Sequence, residues 1–533
     1  MTENVLQSWK DDWPHIAAYQ PAPTGEGVLD QAAFDAMEVE ELFDTVNHAA
    51  TIAGQTVLYR SLTNPLDNLE AINAKQEAIR EILEQPAVRE NVENIVANAA
   101  RNEARLHVLL FGEFLGSFGT SRELKQIEGY GYKQYKQGVN FVLKLVHAIQ
   151  ASETPKSAYL RQVYRKINQF AESNDYSLMV GPVYNTEQGM QSRLQRKGFW
   201  PPAVIFRPSL FKPLLLAAAA ASIWVLMQLF PGDMFKVSRD GISVASVFFL
   251  PLLLAYIPLV GGYDRDNCII PLRNQYRHSA ALGELLDGLG ELDELLTLIK
   301  YSENYGGDMV LPEMHDTEQH SIRLSGCKNP VLGYQNPDYV PNDFIMERQR
   351  LICITGPNSG GKTALCKTVT QIQILAQIGG FVPATSAILS VADRIFYQAP
   401  SISHLDDGEG RFGAELKRTR DIFLASSAKS LVVLDEMAEG TTFEEKMQSS
   451  TDILDGFYRK NNSTILITHN HQLVDVFIKR RIAEAWQVEF ANDTDLPTFK
   501  LIPGISRISH ADRVAKKIGF SKQDIDNYLA RRS

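Results

Sequence analysis

Near Glu38 a regular pattern of apolar positions begins and runs through ELFDTVNHAATIAGQTVLYRSL at helical spacing. Asn64-Pro65 ends it, because proline lacks an amide donor and disfavours the α conformation of the residue before it. LDNLEAINAKQEAIREILEQ then predicts a second amphipathic helix, with Leu69, Ile72, Ile79 and Ile82 on one stripe. Helical texture continues to about Phe170 and returns in SAALGELLDGLGELDELLTLIKYSENY, Ser279–Tyr305. Residues 1–35, with Pro14, Pro21 and Pro23 among polar residues, read as a leader. From about Met309 the chain changes to short β-branched runs, glycine turns and helices, which predicts an α/β domain with a largely parallel sheet.

Two stretches break the amphipathic texture. Leu214–Phe230 and Ile242–Val260 carry no charge over 17 and 19 residues, with PGDMFKVSRDG between them. As helices they would span about 26 and 28 Å, close to the ~30 Å hydrocarbon core of a bilayer. Pro251 and Pro258 in the second run are better tolerated in a membrane helix than in a soluble one. The runs read as a transmembrane hairpin; the alternative is a buried helical pair inside a soluble domain. Arg193, Arg196, Lys197, Arg207 and Lys212 precede the hairpin, while the loop holds only Lys236 and Arg239, offset by Asp233 and Asp240. That asymmetry puts both ends in the cytosol.

Composition narrows the rest. At 533 residues, 44% hydrophobic and 22% charged, the chain can bury several cores. Cys268, Cys327, Cys353 and Cys366 have no framework or ligand spacing and read as free thiols of a reducing compartment. MTENVLQSWKDDWPHI has no basic start or apolar run, so no signal peptide is expected. The net charge of −10 argues against a protein covered in nucleic-acid-binding surface. Thr120–Lys212, however, holds fourteen Lys or Arg against six Asp or Glu, which points to an anionic partner for that region.

The strongest chemical signal is LICITGPNSGGKTALCKTV, Leu351–Val369. A β-rich run, Leu351–Thr355, enters a G-x-x-x-x-G-K-T loop that opens a helix. The loop comprises Gly356, Pro357, Asn358, Ser359, Gly360, Gly361, Lys362 and Thr363. Its glycines let backbone amides turn toward phosphate oxygens, and the helix dipole adds positive potential. Lys362 would contact the β- and γ-phosphates of ATP, and the Thr363 hydroxyl would bind Mg²⁺. Further along, KSLVVLDEMAEGTT has an apolar strand ending in two acids. Asp435 is placed to hold the metal shell, and Glu436 to act as general base on the attacking water. STILITHN ends a third strand at His469, which reads as a γ-phosphate sensor that positions water; a structural histidine is the alternative.

This order of motifs resembles the MutS family of ABC-class ATPases, known for DNA mismatch repair. TGPNSGGKT, VLDEMAEGTT and ITHNHQL are similar to its nucleotide motifs, and QIGGFVPA (Gln377–Ala384) to the strand after its first ATPase helix. NPVL (Asn329–Leu332) and YVPND (Tyr339–Asp343) are similar to its lead-in, and LIPGISRISHADRVAKKIGF (Leu501–Phe520) to its closing helical segment. NPLDNLEAINAKQEAI (Asn64–Ile79) and LDELLTLIKYSENY (Leu292–Tyr305) resemble the limits of its helical core. The resemblance covers roughly residues 38–110 and 280–533. It implies an α plus α/β protein: a leader (1–37), a helical core and lever with the basic segment (38–210), the apolar hairpin (211–262), return helices (263–305) and a P-loop ATPase and dimerisation domain (306–533). It further implies ATP and Mg²⁺ as ligands, a homodimer, and DNA contact without sequence preference.

Departures from the family pattern shape the functional expectation. Only about 37 residues precede the core, too few for the family's mismatch-recognition and connector domains. The signature loop that reaches the other subunit's nucleotide reads GEGRFGAEL, so Gly410 and Arg411 stand where a Ser-Thr pair is usual. In the basic segment, GYGYKQYKQGVNF interleaves tyrosines with Lys133 and Lys136, followed by Lys156, Arg161, Arg165 and Lys166. It reads as a phosphate-contacting DNA surface, as a contact for anionic lipid, or as a solvated helix face. Two functions follow: a DNA-handling ATPase that does not read mismatches, or a membrane-tethered mechanical ATPase acting on a protein partner without DNA. In both, the ATPase domain is expected in the cytoplasm, anchored at the cytoplasmic membrane of a bacterium.

Overall fold

Helices dominate the first half of the computed structural model, which describes residues 21–23, 26–115, 129–187, 189–196, 203–212, 256, 259–357, 360–399, 410–437, 443–491, 496–507 and 518–530. In chain order come α1 (Gln31–Ala36), α2 (Val39–Val46), α3 (Ile52–Thr63), α4 (Leu69–Glu84) and α5 (Pro86–Phe111). Helix α3 stops one residue before Asn64-Pro65, and Ile72, Ile79 and Ile82 of α4 are fully buried while Leu69 is half-buried. Strands β1 (Glu113–Phe114) and β2 (Gly129–Tyr130) pair before α6 (Tyr132–Ala151), α7 (Ala158–Gln169) and α8 (Asn174–Val180). Next lies a three-stranded antiparallel sheet, β3 (Val183–Thr186), β4 (Gly189–Ser192) and β5 (Val204–Phe206), in the order β4-β3-β5. The helical expectation for this stretch missed that sheet.

The apolar runs Leu214–Phe230 and Ile242–Val260 fall outside the described residues, except for Tyr256, Leu259 and Val260. Among the described residues no helix is long and apolar enough to cross a membrane. The chain resumes in α9 (Ile270–Arg277) and the long α10 (Ala280–Asn304).

The chain divides into two compact units. Among the described residues, one lies within 50–55 and 82–293, and the other within 21–49, 56–81 and 294–530. In the first, two buried carboxylates cap the amino end of α3. Asp293 accepts from the amides of Ala50 at 3.2 Å and Thr51 at 2.7 Å, and Glu103 from those of Ile52 at 2.7 Å and Ala53 at 3.0 Å. Amides that a helix start leaves without partners are thus paired with side-chain oxygens.

The second unit continues with β6 (Glu313–His315), β7 (Ile322–Cys327), β8 (Asn342–Met346), β9 (Leu351–Thr355), α11 (Lys362–Gln377), β10 (Ser386–Ser390), β11 (Ile395–Gln398) and α12 (Gly410–Ala425). It ends with β12 (Leu431–Asp435), α13 (Phe443–Lys460), β13 (Ser463–Ile467), α14 (His471–Lys479), β14 (Glu484–Phe490), β15 (Pro497–Pro503) and α15 (Lys522–Ala530). Six strands form the sheet β11-β12-β13-β9-β14-β15, parallel except for β15. The three central strands are buried on both faces and read as unbroken apolar runs. Phe457 and Phe477 fill the core beside them, each contributing roughly 1.5–3 kcal/mol by burial. A second sheet has the order β6-β10-β7-β8.

Two details differ from the sequence expectation. The strand read at Gln377–Ala384 begins instead at Ser386, because α11 ends at Gln377 and Gly379 turns the chain with φ +77°. Part of the segment read as leader is built into the second unit. Leu29 is fully buried, Ile395 donates to the Val28 carbonyl at 2.8 Å, and Asp30 caps α1 while taking a two-pronged ion pair from Arg418 on α12 at 2.7 and 2.9 Å. The four cysteines are free and buried, in agreement with the reading of unpaired thiols.

Candidate active site at the carboxyl edge of the sheet

Strand register assembles the site. Asp435 at the end of β12 pairs with Ile467 of β13, which pairs with Ile354 of β9. The loops that follow these three parallel strands therefore emerge side by side, where open α/β sheets bind ligands. The phosphate-loop candidates follow β9, the acids close β12, and His469 follows β13.

Gly356 and Gly361 adopt φ of +138° and +84°, conformations that side-chain-bearing residues rarely take. Helix α11 starts at Lys362, so its free amides face the loop. The Lys362 ammonium is buried and donates to the carbonyls of Gly356 at 2.7 Å and Pro357 at 3.0 Å, which centres it in the loop. Burial lowers its pKa, while Glu436 and Asp435 pull the other way. Asn358 and Ser359 lie outside the described residues.

Thr363 donates its hydroxyl to Asp435 Oδ2 at 3.1 Å, and Tyr397 reaches the same oxygen at 3.4 Å. Burial raises the Asp435 pKa; the Thr363 hydrogen bond lowers it and the Glu436 charge raises it again. A hydroxyl and a carboxylate on adjoining strand ends suit Mg²⁺, which takes one or two protein oxygens and fills its octahedron with phosphate and water. Among the described residues no cluster of three His, Cys, Asp or Glu side chains is arranged to hold a metal by itself, at this site or any other.

Glu436 sits at φ +54°, a strained backbone state for a residue with a side chain. Its amide donates to the Ile467 carbonyl at 3.0 Å, and its Oε1 lies 2.8 Å from Nε2 of His469. The His469 side chain is 39% exposed and so belongs to an open site rather than to the core. Asn470 caps α14 by accepting from the Leu473 amide at 3.1 Å, which holds the adjoining turn. Gly410 is the first residue of α12; the side chain of Arg411 and the loop 401–409 fall outside the described set.

Sequence reasoning missed a cavity of about 330 Å³ beside the glycine loop. Tyr339, Asn342, Gly360, Gly361, Val488 and Phe499 help to line it. Asn342 ties its walls together, donating to the Phe499 carbonyl at 2.9 Å and accepting from the Leu501 amide at 2.9 Å. Tyr339, Asn342, Gly360 and Gly361 belong to motifs legible in the sequence, whereas Val488 and Phe499, over a hundred positions away, carry no signal that would place them beside the loop.

The basic segment divides into two groups. Tyr130, Tyr132 and Tyr135 are buried, so the tyrosines between the lysines are core residues and no stacking platform. Tyr132 donates to Asp264 at 2.8 Å, and burial lifts the Tyr130 phenol to about 12. Lys166 pairs with Glu291 at 2.6 Å, Arg196 lies over the Tyr184 ring, and Lys212 pairs with Asp264 at 2.8 Å. Lys133, Lys136 and Arg165 remain exposed on α6 and α7.

Comparison with known proteins agrees with this architecture. Residues 29–227 match MutS domain III, and residues 352–530 match MutS domain V. Over 244 residues the chain is 32% identical to the DNA mismatch repair protein MutS of Parabacteroides distasonis, covering 44% of this chain and 28% of that protein. The MutS proteins of Methanosarcina barkeri and Methanosarcina acetivorans align over 92% of the chain at 22% and 23% identity. The chain spans 57% of the length of those two archaeal relatives.

Proposed function

This chain belongs to the MutS family, and from that premise we propose that it is a Mg²⁺-dependent ATPase whose nucleotide cycle moves a helical lever on DNA. The reading rests on the convergence of Lys362, the Thr363–Asp435 pair and the Glu436–His469 pair at one sheet edge. The loop amides and Lys362 bind and neutralise the β- and γ-phosphates. Thr363 and Asp435 would hold Mg²⁺, which would supply neutralisation of the phosphate charge. Glu436 accepts a proton as water oxygen bonds to the γ-phosphorus and the bond to the β-phosphate oxygen breaks. His469 fixes the carboxylate that does so. The cavity beside Gly360 and Gly361 is the seat for adenine. In a homodimer, Gly410 and Arg411 at the amino end of α12 would face the partner's nucleotide.

DNA contact is assigned to Lys133 and Lys136 of α6, through phosphate and without base reading. The purified chain is expected to hydrolyse ATP only with Mg²⁺, faster with duplex DNA, and with a stimulation that fades as salt rises. Failure to take up Mg–ATP would overturn the reading.

One observation favours membrane tethering as a second reading. The Tyr256 hydroxyl, near the end of the second apolar run, donates to the Leu210 carbonyl at 3.2 Å, and Lys212 pairs with Asp264, so the chain enters the first run and leaves the second at one place. An apolar hairpin anchored there would hold the ATPase on the cytoplasmic side of a bacterial membrane. Carbonate-resistant membrane fractionation with no response to DNA would favour a tethered ATPase acting on a protein partner.

A further inference from the structure

A groove of about 660 Å³ runs between α5 and α6 of the first unit, and no residue of the proposed reaction lines it. The two helices run antiparallel. Asn91 near the start of α5 donates to Ser152 just past the end of α6 at 2.9 Å. At the other end Gly138 lets α6 close against α5, since a Cβ there would lie 2.8 Å from the Arg105 carbonyl. Carboxamides occupy both walls: Asn94, Asn98 and Asn102 on α5, and Gln137 and Asn140 on α6. Two cations, Arg105 and Lys144, also line it, and no carboxylate does. Asn98 and Asn102 have local partners, Arg101 at 2.8 Å and the Asn98 carbonyl at 2.7 Å. The side chains of Asn94, Gln137, Asn140, Arg105 and Lys144 carry no partner among the described residues.

We infer that this groove binds an extended, acidic peptide segment of a partner protein. A carboxamide offers one acceptor and two donors, which match the carbonyl and amide of a peptide backbone. The spacing fits as well. Asn94, Asn98 and Asn102 recur every four residues, about 6.0 Å of helix rise, and an extended chain repeats its backbone groups on one side every ~6.6 Å. Asn91 to Arg105 spans about 21 Å, enough for roughly six extended residues. The two lining cations then select acidic side chains. A nucleic-acid strand fits less well. It would need a cation for nearly every phosphate and aromatic faces for its bases, whereas Phe141, the one aromatic side chain lining the groove, is buried.

Selection from a displayed library of random dodecapeptides, using the full chain as bait, tests the proposal. Synthetic copies of the winners are titrated by fluorescence anisotropy and mapped by amide hydrogen exchange. The expected winners are rich in Asp and Glu, slow exchange in α5 and α6, and bind Asn94→Ala/Asn140→Ala at least about tenfold more weakly. Lys144→Glu, which takes the lining charge from two positive to zero, should abolish the acidic bias in a repeat selection while peptides are still captured, which a merely destabilised variant could not do. Unchanged melting by circular dichroism verifies that the variants fold. Winners without acidic bias, winners that bind both variants normally, or a thymidine oligonucleotide that displaces them and binds more tightly would each overturn the assignment.

Discussion

Glu436 Oε1 lies 2.8 Å from His469 Nε2, across the ends of two parallel strands. In the proposed reaction the contact would orient the carboxylate, with Glu436 holding its left-handed backbone conformation. His469→Ala should therefore lower kcat by about tenfold to a hundredfold and leave KM for ATP nearly unchanged. Steady-state kinetics reads this directly. A raised KM with normal kcat would assign His469 to binding instead.

Asp435 is buried beside a second carboxylate, and its pKa is raised. A carboxyl group whose folded pKa is raised favours the fold below its ordinary range and weakens it as pH climbs through the raised value. The nucleotide-free ATPase unit should thus gain stability from Asp435→Asn at neutral pH, while Mg²⁺-dependent hydrolysis collapses. Thermal melting with and without Mg–ATP checks both halves.

His320 shows the opposite slope. It is fully buried, and burial pushes its pKa down to about 4 despite a 3.4 Å contact with Gln373. The neutral ring is what the fold accommodates. Stability is complete above the unfolded value near 6.5 and declines as pH falls toward about 4, by up to roughly 2–3 kcal/mol. His320→Gln should flatten that acid limb in denaturant titrations run across the window.

The Asp30–Arg418 pair fastens the amino-terminal arm to the helix that begins at Gly410. Asp30 is fully buried, so Asp30→Ala leaves a guanidinium without its counter-charge and removes the cap of α1. The expected cost is about 3–5 kcal/mol, visible as faster amide exchange over residues 28–37 and lower melting of the ATPase unit.

Lys133 and Lys136 are exposed on α6 while Tyr130, Tyr132 and Tyr135 are buried. Charge reversal at both lysines should remove duplex stimulation of ATP hydrolysis and cut the salt slope of DNA binding by about two. Matched and mismatched duplexes should stimulate alike, since these aromatic side chains point inward.

Where the sequence was informative, the signal was local. The unbroken apolar run Leu431–Leu434 followed by Asp435 and Glu436 is too hydrophobic for an exposed strand and reads as a buried one with acids at its end, and the glycine loop after Leu351–Thr355 needed no distant partner to be read. Asn64-Pro65 likewise marked a helix end within one residue. Strands β3, β4 and β5 escaped because VYNT and GMQS are short, polar and without alternation. The tyrosines of GYGYKQYKQG misled because a helix with aromatic core positions and lysines outside has the same spelling as a basic, stacking surface. The cavity beside Gly360 and Gly361 joins Tyr339 to Phe499, a proximity that no local pattern encodes.

The central claim is that Glu436 activates water on a nucleotide held by Lys362, Thr363 and Asp435. Single-turnover phosphate release from Mg–ATP, measured beside nucleotide affinity in Glu436→Gln, tests it most directly. Affinity should stay near wild type while the release rate falls by at least about a hundredfold. An unchanged release rate, or a wild-type chain that takes up no Mg–ATP, would contradict the account.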